Sequence, residues 1–393
     1  MTAISVPQAL NSSPALPASC TLAMVLFRYF PFGGMQANFL RIAKACLARG
    51  HHIDVYTLDW QGERPDGLNI QIIETTKRQN IHRYEQFAER MSEIMRTQSY
   101  DLVMGFNRMP GLDLYYAADP CFVERVRKTR PWYYRFSARY RHFKAFEQAL
   151  FGPDSLTHIL ALSQLQIEEY RHNYATTIDR FSLLPPGVQT RYRRGDDAQI
   201  MRNDMRQKFN IETDTQLLLM VGSGFERKGF DRGLRAFAAL PDGVRERSHL
   251  MVIGKGREKS LTRLAVRLEI APRFTLIPGS KDIPAFMQAA DILLHPARSE
   301  NTGNVIVEAI CGGLPVLCSG TCGYAMHVER AIAGLVMKEP FDQAQMNKQL
   351  LRMLDPEQQR QWAGNALAYT RTEDLYSRIE AIVAGIERRA KTA

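Results

Sequence analysis

The sequence predicts an α/β protein built from two doubly wound domains that face a central cleft. Short apolar runs alternate with segments of helical periodicity along almost the whole chain, the pattern of strands joined by crossover helices. The run Ile292-Leu293-Leu294 is apolar throughout, as parallel strands buried on both faces are. At 393 residues the chain outgrows a single core. Its alternation breaks once, at Pro185-Pro186-Gly187-Val188 and the polar stretch that follows to about Asn203, which reads as an interdomain linker.

In the first half, Leu22–Phe27 reads as a strand and Phe30-Pro31-Phe32-Gly33-Gly34 as a turn. Phe39, Ile42, Ala43, Cys46 and Leu47 then share one helical face. Gly50 ends that helix and Ile53–Thr57 is the next strand, giving a βαβ unit of the usual right hand. Further strands are expected at Ile70–Ile73, Leu102–Gly105, Ile159–Leu162 and Phe181–Leu184, with Ser163 and Gln166 forming a capping box for the helix after the third of these. In the second half, strands are expected at Leu217–Val221, Leu250–Ile253, Phe274–Ile277, Ile292–Leu294 and Val316–Leu317. The division expected is a disordered extension over 1–20, a first domain over 21–187, a second over 188–370, and a C-terminal segment over 371–393. The helix Leu375–Arg389 in that last segment packs back on the first domain.

The composition, 45% hydrophobic and 23% charged, is that of an ordinary globular protein. A net charge of +10 points to an anionic partner: nucleic acid, an anionic membrane or a phosphorylated small molecule. No stretch reaches the roughly 18–20 apolar residues of a membrane span, and the N-terminus lacks the basic start of a secretory signal. The six cysteines are scattered, and Cys318-x3-Cys322 lacks a second pair, so reduced thiols in a cytoplasm are expected rather than a zinc site.

Two carboxylates dominate the chemistry. Glu300 follows the strand Ile292–Leu294 and so lies at a carboxyl end, where open α/β sheets bind ligands. Glu308 is placed about two turns into the next helix, which Gly312-Gly313-Leu314-Pro315 ends. One can face a sugar while the other takes the vicinal hydroxyls of a ribose; two solvated acids near a helix N-terminus would look the same. Arg227 and Lys228, in the loop Gly222–Gly229, can neutralise a leaving diphosphate, unless the loop is only a basic surface. Gly33-Gly34, at a strand-to-helix turn, allows a phosphate close to backbone N–H groups, though it is short of a G-x-G-x-x-G fingerprint. Asp119, after Gly111-Leu112-Asp113, is placed at the cleft mouth to act on an acceptor hydroxyl or hold a sugar, or is a turn residue. No nucleophilic triad is evident, His295 and His327 are single histidines, and no Asp-x-Asp marks a metal.

Residues 123–146 set eight Lys and Arg against one Glu, interleaved with aromatics. Arg125, Arg127, Lys128, Arg130, Trp132, Tyr133, Arg135, Arg139, Arg141 and Lys144 read as a surface for anionic lipid. Stacking of single-stranded nucleic acid needs the same composition, but no nucleic-acid motif accompanies it, and an aromatic core face under a basic helix is the plain alternative.

Together these residues resemble retaining glycosyltransferases of family 4 with the GT-B fold, two Rossmann-like domains. Glu300-x7-Glu308 is similar to that family's signature and Arg227-Lys228 to its diphosphate pair. Tyr29–Gln36, Arg49–His52, Gly105–Asp113, Leu184–Gly187, Arg139–His142, Arg227–Gly229 and Cys322–Ala325 resemble the lipopolysaccharide core glucosyltransferase I family, from about residue 21 to 385. The resemblance implies transfer of glucose from UDP-glucose to a heptose on the lipid A–core acceptor, with the α configuration kept. It implies no metal or other cofactor, no nucleic acid, and a cytoplasmic protein peripheral to the anionic inner membrane. It assigns the diphosphate to Gly34, Arg227 and Lys228, the glucose to Glu300, the ribose to Glu308, and a place near the reacting centre to Asp119. Asn38 stands where the family often has Asp, and keeps hydrogen bonding without charge. Asn301-Thr302-Gly303-Asn304 is more polar than the family's loop, which leaves UDP-galactose or a UDP-N-acetylhexosamine open as donor. A non-catalytic sugar-nucleotide-binding protein and a sugar-nucleotide epimerase are the readings outside transfer.

Overall fold

The computed structural model describes residues 19–31 and 33–390. Its first sheet contains β1 (Thr21–Val25), β2 (His52–Thr57), β3 (Leu68–Ile72), β4 (Leu102–Gly105), β5 (Leu114–Ala117), β6 (His158–Ala161) and β7 (Phe181–Leu183). All are parallel, in the order β3-β2-β1-β4-β5-β6-β7. The second contains β8 (Gln216–Val221), β9 (Ser248–Ile253), β10 (Phe274–Ile277), β11 (Ile292–His295), β12 (Val316–Ser319) and β13 (Gly334–Met337), again parallel, in the order β10-β9-β8-β11-β12-β13. In each sheet the order reverses beside its first strand. The loops after β1, β8 and β11 therefore open at the two switch points, where such sheets take ligands.

Burial explains the strand composition. Leu218, Leu219 and Met220 on β8 and Ile292, Leu293 and Leu294 on β11 are fully buried, with helices on both faces. Two strands escape the sequence pattern. β5 is four residues, two of them tyrosines, closed by Asp113 and Asp119, and β13 opens on a glycine. Both are too short to show a period, and their pairing to neighbouring strands fixes them. The polar stretch read as linker already belongs to the second domain. Ala198–Lys208 is a helix whose Arg202 and Arg206 pair with Asp291 at 2.6 and 3.4 Å. The predicted extension lies outside the described residues up to 18. Cys20, also assigned to it, is buried, and its carbonyl accepts from His52 N–H at 2.8 Å.

The helix Arg378–Ala390 lies on the helix Gly34–Ala48 and sends Ile379, Ile382, Val383 and Ile386 into the first domain's core. At the crossover, Val188 N–H donates to Leu375 O at 2.8 Å. The buried Arg378 donates to Pro185 O (3.0 Å), Pro186 O and the Tyr324 hydroxyl (2.7 Å), so one guanidinium ties linker, second domain and terminal helix together.

Candidate active site

The cation loop is folded by its own apolar residue. Phe225 is buried and stacks on Phe230, ring centroids 5.1 Å apart, which leaves Arg227 and Lys228 at the mouth of the switch point. Gly229 has φ +67°, and a Cβ there would come within 1.9 Å of Pro296 O. Only glycine lets this loop press against the exit of β11. The contact is sealed by Arg298 N–H donating to Arg227 O at 2.9 Å.

That approach brings the predicted residues together. Glu300 Oε2 lies 2.6 Å from Lys228 Nζ and 2.7 Å from an Arg227 guanidinium nitrogen. Burial alone would raise the Glu300 carboxyl, but Lys228 and Arg227 outweigh it and hold the group below the usual carboxylate range. A bridge to Cys322 fixes its backbone, and Tyr324 N–H donates to Thr302 O at 2.8 Å. Gly303, at φ +84°, then starts the helix Asn304–Cys311.

Glu308 is the fifth residue of that helix, one turn in rather than the two expected, because the helix begins only at Asn304. Its carboxylate makes no hydrogen bond or ion pair among the described residues. Burial pushes it up to about 7, against the field of Arg191 and Lys228. Arg191, in the short turn Thr190–Tyr192 after the linker, carried no sequence signal. His295, the last residue of β11, is fully buried, both ring nitrogens lack a hydrogen-bond partner among the described residues, and burial followed by Lys228 pushes it down to about 3. The sequence offered it only as a lone histidine near a strand end.

Across the cleft, Gly33 precedes the helix Gly34–Ala48, whose first turn has no side-chain cap. Asn38 Nδ2 donates to the Tyr116 hydroxyl at 3.1 Å. Asp119 is exposed, and its carbonyl is pinned by Gln166 Nε2 at 2.8 Å and the Tyr170 hydroxyl at 3.3 Å. The capping box is incomplete. Ser163 accepts from Gln166 N–H, but the Gln166 carboxamide reaches Leu162 N–H and the carbonyls of Ala117 and Asp119 instead of the cap residue. Asn301, expected in the donor loop, also makes contacts across the cleft. Its Nδ2 donates to Ala118 O (2.8 Å) and its carbonyl accepts from Ser163 Oγ (3.3 Å), so it joins the two domains. Between them lies a cavity of about 170 Å³ lined by Arg125, Lys128, Glu169, Arg298, Glu300 and Asn301.

Arg125 and Lys128, two of the cations expected to face lipid, line this cavity, and Lys128 pairs with Glu169 at 2.9 Å and Glu124 at 3.2 Å. Arg127 pairs with Glu124 at 2.8 Å. Beyond them, the turn Trp132–Phe136 exposes Trp132, Tyr133 and Phe136 by more than 60% each, beside exposed Arg130, Arg135, Arg139, Arg141 and Lys144. Phe146, in the same stretch, is core. Among the described residues, no group of three or more His, Cys, Asp or Glu could hold a metal ion, and no helix is long and apolar enough to cross a membrane.

Residues 201–368 match the family model for glycosyl transferases group 1, and residues 32–192 that for glycosyltransferase family 4. The lipopolysaccharide glucosyltransferase WaaG of Escherichia coli (strain K12) is 40% identical over 91% of this chain and 96% of its own. A D-inositol 3-phosphate glycosyltransferase of Thermomonospora curvata is 24% identical over 86% of this chain and 87% of its own. A crystal structure of WaaG superposes with a TM-score of 0.83 at 39% identity, covering 93% of this chain and 99% of that one. An Anabaena protein, HepE, in complex with UDP-glucose shares the two-domain fold (TM-score 0.68, 17% identity, 95% and 100% coverage).

Proposed function

The chain belongs to the lipopolysaccharide core glucosyltransferase family of glycosyltransferases, and on that premise we propose that it moves glucose from UDP-glucose to an inner-core heptose of lipopolysaccharide with retention of the α configuration. The observation that carries this reading is the Glu300–Arg227–Lys228 cluster at the second domain's switch point, in a chain 40% identical to a lipopolysaccharide glucosyltransferase over nearly its whole length. Arg227 and Lys228 take the diphosphate, Glu300 the hexose hydroxyls and Glu308 the ribose diol. The uncapped helix N-terminus at Gly34 offers N–H groups to the phosphates from the other side.

The reaction is a front-face displacement. The bond from the anomeric carbon to the phosphate oxygen breaks as the heptose hydroxyl attacks the same face. The departing phosphate takes the hydroxyl proton, and Arg227 and Lys228 stabilise the charge that grows on it. Asp119 lies on the acceptor side. Two fixed cations perform the task a divalent metal performs elsewhere, so transfer proceeds in EDTA. Trapping of a glycosyl–enzyme ester would overturn the displacement.

The acceptor is lipid-anchored, and the exposed surface from Arg130 to Lys144 fits the face of an anionic bilayer. Replacing Arg130, Arg135, Arg139, Arg141 and Lys144 by Gln abolishes sedimentation with phosphatidylglycerol vesicles; retained binding excludes this face. The function is tested with a panel of UDP- and GDP-sugars and a heptose-terminated acceptor in EDTA, reading product mass and linkage. An α-linked hexose from UDP-glucose alone is the expected result. Addition from UDP-galactose or a UDP-N-acetylhexosamine reassigns the donor, with Thr302 and Asn304 the residues to examine. No transfer from any donor removes the proposal in favour of a sugar-nucleotide-binding protein.

A further inference from the structure

His295 is the polar end of an otherwise apolar strand, Ile292-Leu293-Leu294-His295, and its side chain is wholly buried. Neither ring nitrogen has a hydrogen-bond partner among the described residues, an exception that calls for a reason in a well-packed interior. Its Nε2 lies 3.9 Å from Glu300 Oε2, outside hydrogen-bond range but only about 1 Å from it. Glu300 has no need of it here, because the same oxygen already accepts from Lys228 and Arg227. Those are the cations assigned above to the donor diphosphate. As they turn to the phosphates, Glu300, with only 13% of its side chain exposed, loses both partners, and a carboxylate left so is heavily penalised.

Resting on the function proposed above, we propose that His295 is a positioning residue for the donor hexose. It takes over the Glu300 carboxylate through Nε2–H when Arg227 and Lys228 turn to the diphosphate, and so holds that carboxylate where the sugar hydroxyls meet it. The imidazole is suited to this exchange. Burial and the nearby Lys228 keep it neutral, so it brings a donor without a charge that would compete for the phosphates. Glu300 changes partners without leaving its loop.

The test is a double-mutant cycle on UDP-glucose affinity, measured by calorimetry on the full chain. His295→Leu should weaken binding about 10- to 100-fold, the scale of a lost hydrogen bond to a charge. His295→Gln, whose amide places an N–H near the Nε2 position, should stay within about threefold of wild type. In a Glu300→Gln background, His295→Leu should change affinity less than about twofold, since the partner is already gone. Where Leu is not tolerated by the fold, judged from the thermal midpoint, His295→Asn repeats the cycle, because its shorter amide withdraws from that position. Equal losses in both backgrounds would make His295 a support of the fold and overturn the inference, as would wild-type affinity in His295→Leu. A wild-type protein that binds UDP but no UDP-glucose overturns the donor assignment itself, a result distinct from either.

Discussion

Replacing Glu308 by Gln should stabilise the ligand-free protein, and the gain should grow with pH. The unfolded carboxyl ionises near the ordinary 4.5, whereas in the fold burial pushes it up to about 7. Between those values the unfolded chain gives up a proton that the folded chain keeps, so rising pH favours unfolding; above 7 both states are ionised and the penalty stays constant. At about 1.4 kcal/mol per tenfold, the penalty is about 1.4 kcal/mol at pH 5.5 and about 3.4 kcal/mol at pH 8.5. Gln carries no charge in either state and removes all of it. An unpaired amide adds its own cost, but that cost does not vary with pH, so the signal is the increase of about 2 kcal/mol across the window. Urea unfolding of both proteins at pH 5.5, 7 and 8.5 reads it, in the transition that contains the second domain. Parallel stability curves for variant and wild type would refute the raised carboxyl. The same variant should bind UDP about tenfold more weakly, because a carboxylate accepting from a diol is the stronger bond.

Lys228→Gln should lower kcat with UDP-glucose by about 100-fold, the scale of one lost group that meets transition-state charge; an unchanged initial rate at saturating donor would detach Lys228 from the leaving group. Arg378→Ala should cost about 3 kcal/mol, since it strips a buried guanidinium from two linker carbonyls and the Tyr324 hydroxyl; denaturant unfolding checks it, and a loss below about 1 kcal/mol would mean the crossover is held by apolar packing. Asn301→Ala should leave UDP affinity within about twofold yet lower kcat about tenfold, because it removes a hydrogen bond between domains rather than one to the nucleotide; calorimetry and steady-state rates separate the two.

The fold class was legible because parallel strands buried on both faces, such as Leu217–Val221 and Ile292–Leu294, announce themselves as apolar runs. Glu300, Arg227 and Lys228 were legible because each follows such a run, at a place where backbone geometry leaves side chains at the cleft. What failed to show lacks a local period. Leu114–Ala117 is a strand only by its pairing with β4 and β6. Arg202 reads as linker charge until Asp291, 89 residues away, makes it part of an internal clamp. For Asn301, sequence shows the loop it sits in and not the Ala118 carbonyl that its Nδ2 reaches. Arg125 and Lys128 read with the lipid cations, and composition does not show that they also line the cavity between the domains.

If the Glu300–Arg227–Lys228 cluster is the donor site proposed above, binding proceeds by exchange. Glu300 and the two cations already satisfy one another, with their loops held together at Gly229 and Pro296. A diphosphate cannot simply be added to such a cluster; it must displace a carboxylate from two cations. The net gain from the phosphates is therefore the difference between two ion-paired states, smaller than a bare pair of cations would give. That exchange frees a carboxylate at the moment the hexose arrives. A nucleotide lacking the sugar frees the same carboxylate but brings no hydroxyl to it. UDP-glucose should consequently bind more tightly than UDP by more than the sugar's own contact area would supply, and Glu300→Gln should erase that excess while strengthening the hold on UDP itself.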